Sequence, residues 1–315
     1  MTGSVSATAS ASSPPADIGC RFEITDSFTV DAPERCRRLR LWAPVIPDVP
    51  HQRVLDLAVR ADLPAELTRE AEFGNTLLHA TAPAPTAGRY SFELRYAIKR
   101  VPRPGTTDPA RATALASPEL FARTLQPERH VDVDDRTRAL AAEIVAGETN
   151  PLEQARRIYD HTTGAMTYDA TQQSYRGSTE HALVCQVGNC NDIHALFVSL
   201  CRSVGIPARF VLGQALEAPT GTAEDCEVCG YHCWAEFFIA GLGWLPADAS
   251  CACKYGTHGL FGRLECNHIA FSTGRDLLFD PPQHAGRALF FAAPYAEADG
   301  AAVPVERRLA FTEAP

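Results

Sequence analysis

The chain has 315 residues, 45% of them hydrophobic and 21% charged, which is the composition of a globular protein with room for two domains and a sizeable core. A formal net charge of -9 at pH 7 argues against nucleic acid or an anionic membrane as partner and favours peptides, proteins or small molecules. No run of about eighteen apolar residues occurs, which excludes a transmembrane helix.

Residues 1–18, MTGSVSATASASSPPADI, are small and polar, with neither a basic start nor an apolar stretch, so they read as a disordered tail rather than a secretory signal. A cytoplasmic location is expected. Residues 19–100 read as short strands broken by Pro, Gly and Asp. Tyr90, Phe92, Leu94, Tyr96 and Ile98 alternate with polar residues at the period of a half-buried strand, and Leu55, Leu57 and Val59 repeat the pattern. These strands are expected to form a small antiparallel β-sandwich. Residues 101–134 read as a connector, and 135–315 as a second, catalytic domain.

Leu140, Ile144 and Val145 mark the buried stripe of a first helix. Asn150 as N-cap, Pro151 and Glu153 open a second, running to about Thr163. The segment from Tyr168 to Val187 is expected to wall a substrate groove.

It leads into GNCNDIHALFVSLCRSVGIPAR, residues 188–209. Ile193, Leu196, Phe197 and Leu200 form one apolar helical stripe, which Gly205 and Pro207 terminate. Asn189 is the N-cap, which makes Cys190 the first helical residue, among backbone N–H groups with no intrahelical partner. A thiolate is stabilised there, and a nearby imidazolium would lower its pKa further. The base is found downstream. Residues 231–239 (YHCWAEFFI) read as a strand, 240–243 as a hairpin turn and 244–248 as the returning strand. That hairpin brings Asp248 near His232, so that a carboxylate can orient the imidazole while its other nitrogen faces the thiol.

Together, Gly188-x-Cys190-x-Asp192, Arg202-x-x-Gly205-Ile206-Pro207-Ala208-Arg209, His232-Cys233-Trp234-Ala235-Glu236, Gly243-Trp244 and Asp248 resemble the bacterial transglutaminase-like superfamily. Phe261-Gly262, Gly274-Arg275-Asp276, Pro281-Pro282 and Pro294-Tyr295-Ala296-Glu297 extend the resemblance, which covers most of residues 135–300. It implies an α+β fold, with a papain-like transglutaminase core (a Cys-bearing helix packed on an antiparallel sheet) behind the N-terminal β-sandwich, and a triad of Cys190, His232 and Asp248. Animal transglutaminases place an oxyanion-holding tryptophan well upstream of the cysteine; here the tryptophans are Trp42, Trp234 and Trp244. The Cys190 N–H remains as an oxyanion donor, with Gln186 or Tyr168 as candidates for a second. No calcium-binding loop is evident, so no calcium requirement is expected.

Eleven cysteines are present. Cys226-x-x-Cys229 with Cys251-x-Cys253 reads as a structural zinc site, with His258 or His268 as substitutes, as a redox-active Cys-x-x-Cys, or as reduced small residues. The single residue between Cys251 and Cys253 argues against zinc, and the last reading is preferred. The expected chemistry is acyl transfer on an amide or peptide carbonyl through a thioester, resolved by water (peptidase or amidase) or by an amine (transglutaminase-type or amide-forming acyltransferase). A non-catalytic scaffold on the same fold is the alternative of another class.

Overall fold

A computed structural model describes residues 19–103, 108–216, 226–228, 230–256 and 259–314, with only the backbone of residues 226 and 227. The expected tail, Cys229 and His258 lie outside the described residues. In chain order, six strands come first: β1 (Cys20–Ala32), β2 (Arg38–Pro44), β3 (Gln52–Ala61), β4 (Ala65–Arg69), β5 (Thr76–Pro83) and β6 (Gly88–Arg100). The middle of the chain alternates: α1 (Ala122–Leu125), α2 (Asp135–Val145), α3 (Pro151–Ala165), β7 (Thr167–Tyr168), α4 (Thr179–Cys185), β8 (Val187–Gly188), α5 (Cys190–Ser203) and β9 (Ala208–Ala215). Then follow β10 (Cys226–Val228), β11 (His232–Ile239), β12 (Gly243–Ala247), α6 (Ala249–Tyr255), β13 (His268–Thr273), β14 (Tyr295–Ala298), β15 (Ala301–Val303) and β16 (Val305–Ala314). No helix among the described residues is long and apolar enough to cross a membrane.

Two five-stranded sheets, β10-β16-β1-β6-β3 and β15-β14-β2-β5-β4, face each other as the sandwich. Phe92, Leu94, Tyr96 and Ile98 of β6 all point into its core, as their alternation requires. In β3 a bulge between Val54 and Asp56 shifts the parity, so Val54 and Leu57 pack inward while Leu55 is exposed; Val59, on the same face as Leu57, is exposed at the sheet edge. The sandwich is not confined to residues 19–100. β16 pairs with β1 over ten positions and β14 pairs with β2, so residues 295–314 leave the expected catalytic domain and complete both sheets. They do so because Leu309 and Phe311 are apolar at alternate positions and are buried there.

The remaining sheet, β12-β11-β9-β13, is antiparallel and packs against α5. This gives the expected α+β class. β13 is an edge strand with unpaired backbone groups, and two buried amides from the sandwich satisfy them. Gln52 bonds the Ala270 N–H and C=O, and Asn75 bonds those of Thr273. Ile269 and Phe271 join the sandwich core from the same strand. A disulfide between Cys20 and Cys266 ties β1 to the segment just before β13, so Cys266 is not among the reduced cysteines expected.

Candidate active site

α5 starts as its sequence requires. The Asn189 side chain accepts the Asn191 N–H at 3.0 Å, and Asp192 returns the bond to the Asn189 N–H in a capping box. Asp192 is fully buried and does more than cap. It also accepts the backbone N–H groups of Ser174 and Ser178 and the Ser174 hydroxyl, which pins the 174–178 loop to the cysteine turn. From the other side Arg275, also fully buried, donates to the carbonyls of Gly177, Arg129 and Arg176. Burial lowers its pKa to about 10, and its guanidinium lies over the rings of Phe210 and Phe290. The groove wall is thus fixed by one buried anion and one buried cation.

Cys190, the first residue of α5, is 6% exposed. Its pKa is held well below the usual thiol value. The Cys233 thiol contributes most, by hydrogen bonding; burial opposes, and the hydrogen bond and charge of His232 add to the lowering. Cys233 moves the other way, pushed up by burial and then by Cys190. Cys233 also reaches Asn191 Oδ1 at 3.3 Å, and the Asn191 amide donates to the Tyr231 hydroxyl at 2.9 Å.

His232 opens β11, and Asp248 follows β12 as the N-cap of α6, accepting the Cys251 N–H. His232 Nε2 lies 2.7 Å from Asp248 Oδ2. Burial lowers the imidazole pKa, but the charge and hydrogen bond of Asp248 prevail and hold it well above its ordinary value. Asp248 is fully buried; against that burial, the His232 charge and hydrogen bond keep it well below the carboxylate range. With Nε2 committed to Asp248, Nδ1 is the nitrogen left to face the thiol.

Three further residues here were not singled out as catalytic candidates from the sequence. His268 Nε2 shares Asp248 Oδ2 at 3.1 Å, and its ring stands edge-on to Trp234. Burial lowers its pKa, as it does that of His194, whose Nε2 accepts the Ala249 N–H at 3.1 Å. Gly213 stands opposite His232 in the β9–β11 register. An added Cβ there would come within 2.0 Å of the Ile269 carbonyl, so only glycine lets β9 and β13 approach so closely.

Of the other sequence candidates, Tyr168 pairs with Gly188 across the β7–β8 ladder and lines a cavity of about 290 Å³ together with His232, Tyr231, Cys251 and Lys254. Burial, then the Cys190 charge, raise its pKa. Gln186 caps α4 in a left-handed conformation with its side chain exposed, outside the described lining of that cavity. The Cys226, Cys229, Cys251 and Cys253 set lies partly outside the described residues, which include neither Cys229 nor the Cys226 side chain. Cys251 and Cys253, two apart on α6, turn to different partners, Cys251 toward His232 at 3.9 Å and Cys253 toward the Thr163 carbonyl.

The chain is similar to several known proteins. An uncharacterised protein of Haemophilus influenzae is 26% identical over 318 residues, covering 89% of this chain and 86% of the relative. A crystal structure of a proposed cysteine protease from Cytophaga hutchinsonii shares the fold with a TM-score of 0.59 at 16% identity, over 94% of this chain and 98% of that one. A weaker likeness, TM-score 0.37 at 18% identity over 73% of this chain and 76% of that one, is to the periplasmic domain of TgpA from Pseudomonas aeruginosa. Residues 138–249, which hold Cys190, His232 and Asp248, match the family model of the transglutaminase-like superfamily, and it is this family that the chain resembles.

Proposed function

We propose that this protein is a cysteine-dependent hydrolase of amide or peptide bonds, acting through a thioester on Cys190. The observation that carries the reading is the buried His232–Asp248 hydrogen bond of 2.7 Å beside a cysteine at a helix N-terminus, with the cysteine and imidazole pKa values displaced in opposite directions. Cys190 Sγ attacks the carbonyl carbon. The Cys190 N–H, with Tyr168 as the nearer of the two side-chain candidates, faces the developing oxyanion. His232 gives its proton to the leaving amine, then takes one from water as the hydroxide attacks the thioester, releasing the acid and the Cys190 thiolate beside the imidazolium. Asp248 holds the imidazole and its charge throughout. Water is the favoured acceptor because it needs no second binding site. Substrates are small-molecule, peptide or protein amides, in keeping with the net charge of -9.

Iodoacetamide labelling of each cysteine against pH, mapped by peptide, tests this in wild type and His232→Ala. Cys190 should label fast below pH 7 and lose that advantage without His232; ordinary thiol behaviour in both proteins would remove the reading. Cys190→Ala should abolish turnover and leave the fold intact. Added primary amine should leave the acid as main product, and a predominant amine adduct would replace hydrolysis by acyl transfer.

A further inference from the structure

Asp248 is shared between the imidazole that faces Cys190 and a second group of donors that faces away. His232, His268, Asp248 and Cys251 each offer one ligand atom, and these four atoms all lie within 4.8 Å of one another. A tetrahedral zinc ion with bonds of about 2.0–2.3 Å sets neighbouring donors roughly 3.3–3.8 Å apart. Three of the six separations, at 2.7, 3.1 and 3.9 Å, lie on either side of that range, and all are within 4.8 Å, so shifts of about an ångström would seat the ion. Two imidazoles, a carboxylate and a thiolate are the ligand types that zinc prefers.

The surroundings already orient these donors. Asp248 Oδ1 is occupied by the Ser250 hydroxyl and the Cys251 N–H, both at 2.9 Å, which leaves Oδ2 as the oxygen turned to the cluster. His268 Nδ1 lies 2.9 Å from Asn267 Oδ1, a partner that directs Nε2 inward. His232, Ser250 and Cys251 line the solvent-connected cavity of about 290 Å³, which provides an entry path.

We propose that His232, Asp248, Cys251 and His268 form a zinc-binding site that competes with the catalytic arrangement. On binding, the Nε2 hydrogen of His232 and the thiol proton of Cys251 pass to solvent, His268 moves its ring hydrogen from Nε2 to Nδ1, facing Asn267 Oδ1, and the ion replaces the hydrogen bonds between Asp248 Oδ2 and the two imidazoles. The imidazole is then a ligand instead of an acid, and the enzyme is reversibly silenced. The site itself rests on its donors; the silencing rests on the role proposed above for His232.

Calorimetric titration of ZnCl₂ into the full chain, as wild type, Cys251→Ser and His268→Ala, tests the site. The labelling rate of Cys190 at pH 6.5 with and without zinc tests the silencing. Expected are one ion per chain, affinity at least about 10-fold weaker in each variant, and labelling slowed at least about 10-fold by zinc in wild type but not in Cys251→Ser. Equal affinity in all three proteins would place zinc elsewhere and overturn the site. Binding that depends on Cys251 and His268 but leaves Cys190 labelling unchanged would keep the site and overturn the silencing, together with the His232 role it borrows.

Discussion

At the residue scale, the displaced pKa values of Cys190 and His232 open a pH window. Thiolate and imidazolium coexist above the lowered pKa of Cys190 and below the raised pKa of His232, so kcat/KM should rise on an acid limb, stay flat through neutrality and fall on an alkaline limb. The sign for stability follows from the same shifts. Asp248, lowered from 3.8, contributes stability that is present above that value and lost as pH falls through its folded pKa. His232, raised from 6.5, contributes stability that is present below that value and lost as pH rises through its folded pKa. Asp248→Asn removes the charge that offsets the cost of burying the imidazolium. The alkaline limb should move to lower pH and kcat/KM should drop roughly 10²–10⁴-fold, while Asn, a good N-cap, preserves α6. A pH–rate profile of the variant checks this, and an unmoved alkaline limb would dissociate Asp248 from His232.

At the scale of elements, the cysteine turn depends on Gly188. A Cβ there would sit 2.7 Å from the Asp192 Cβ and Oδ2, and Asp192 cannot give way because it holds Ser174, Ser178 and Asn189. Gly188→Ala should therefore cost about 1–3 kcal/mol and slow Cys190 labelling by moving the turn, as thermal melts and the labelling assay would show. Retained labelling at unchanged Tm would mean that the turn tolerates a side chain. Much of this element was legible in the sequence: the apolar stripe of α5, the Asn189 cap and the Cys, His, Asp order need only local periodicity and a hairpin. The role of Asp192 as a loop anchor was not, because Ser174 and Ser178 reach it from fourteen or more positions away. His268 was named only as a possible zinc ligand, and its place beside Asp248 escaped for a similar reason. It arrives on β13, whose position depends on Gln52 and Asn75, about two hundred residues upstream.

At the scale of the whole molecule, the sandwich and the catalytic sheet are one folded body in which the chain's two ends meet. Pairing of β1 with β16 joins residues about 280 apart, a separation that no local pattern announces, and so residues 295–314 read as part of the second domain until the sheet is seen. The Cys20–Cys266 bond fastens the same junction across 246 positions, tying β1 to the segment that leads into His268. A native disulfide closing so long a loop in the unfolded chain is worth about 2–5 kcal/mol, or roughly 3–8 °C in Tm for a chain of this size. Reductant, or Cys20→Ser, should lower Tm by that amount, and each should have no effect in the presence of the other. An unchanged Tm under both would mean that the bond does not constrain the fold. The bond also bears on location. Standing disulfides are rare in reducing cytosol, so a cytoplasmic protein should be found with both thiols free when its cells are trapped with alkylating agent. Recovery of the joined Cys20 and Cys266 peptides from such cells would instead put the protein in an oxidising compartment, where a low-pKa Cys190 beside Cys233 must itself be kept reduced in order to act.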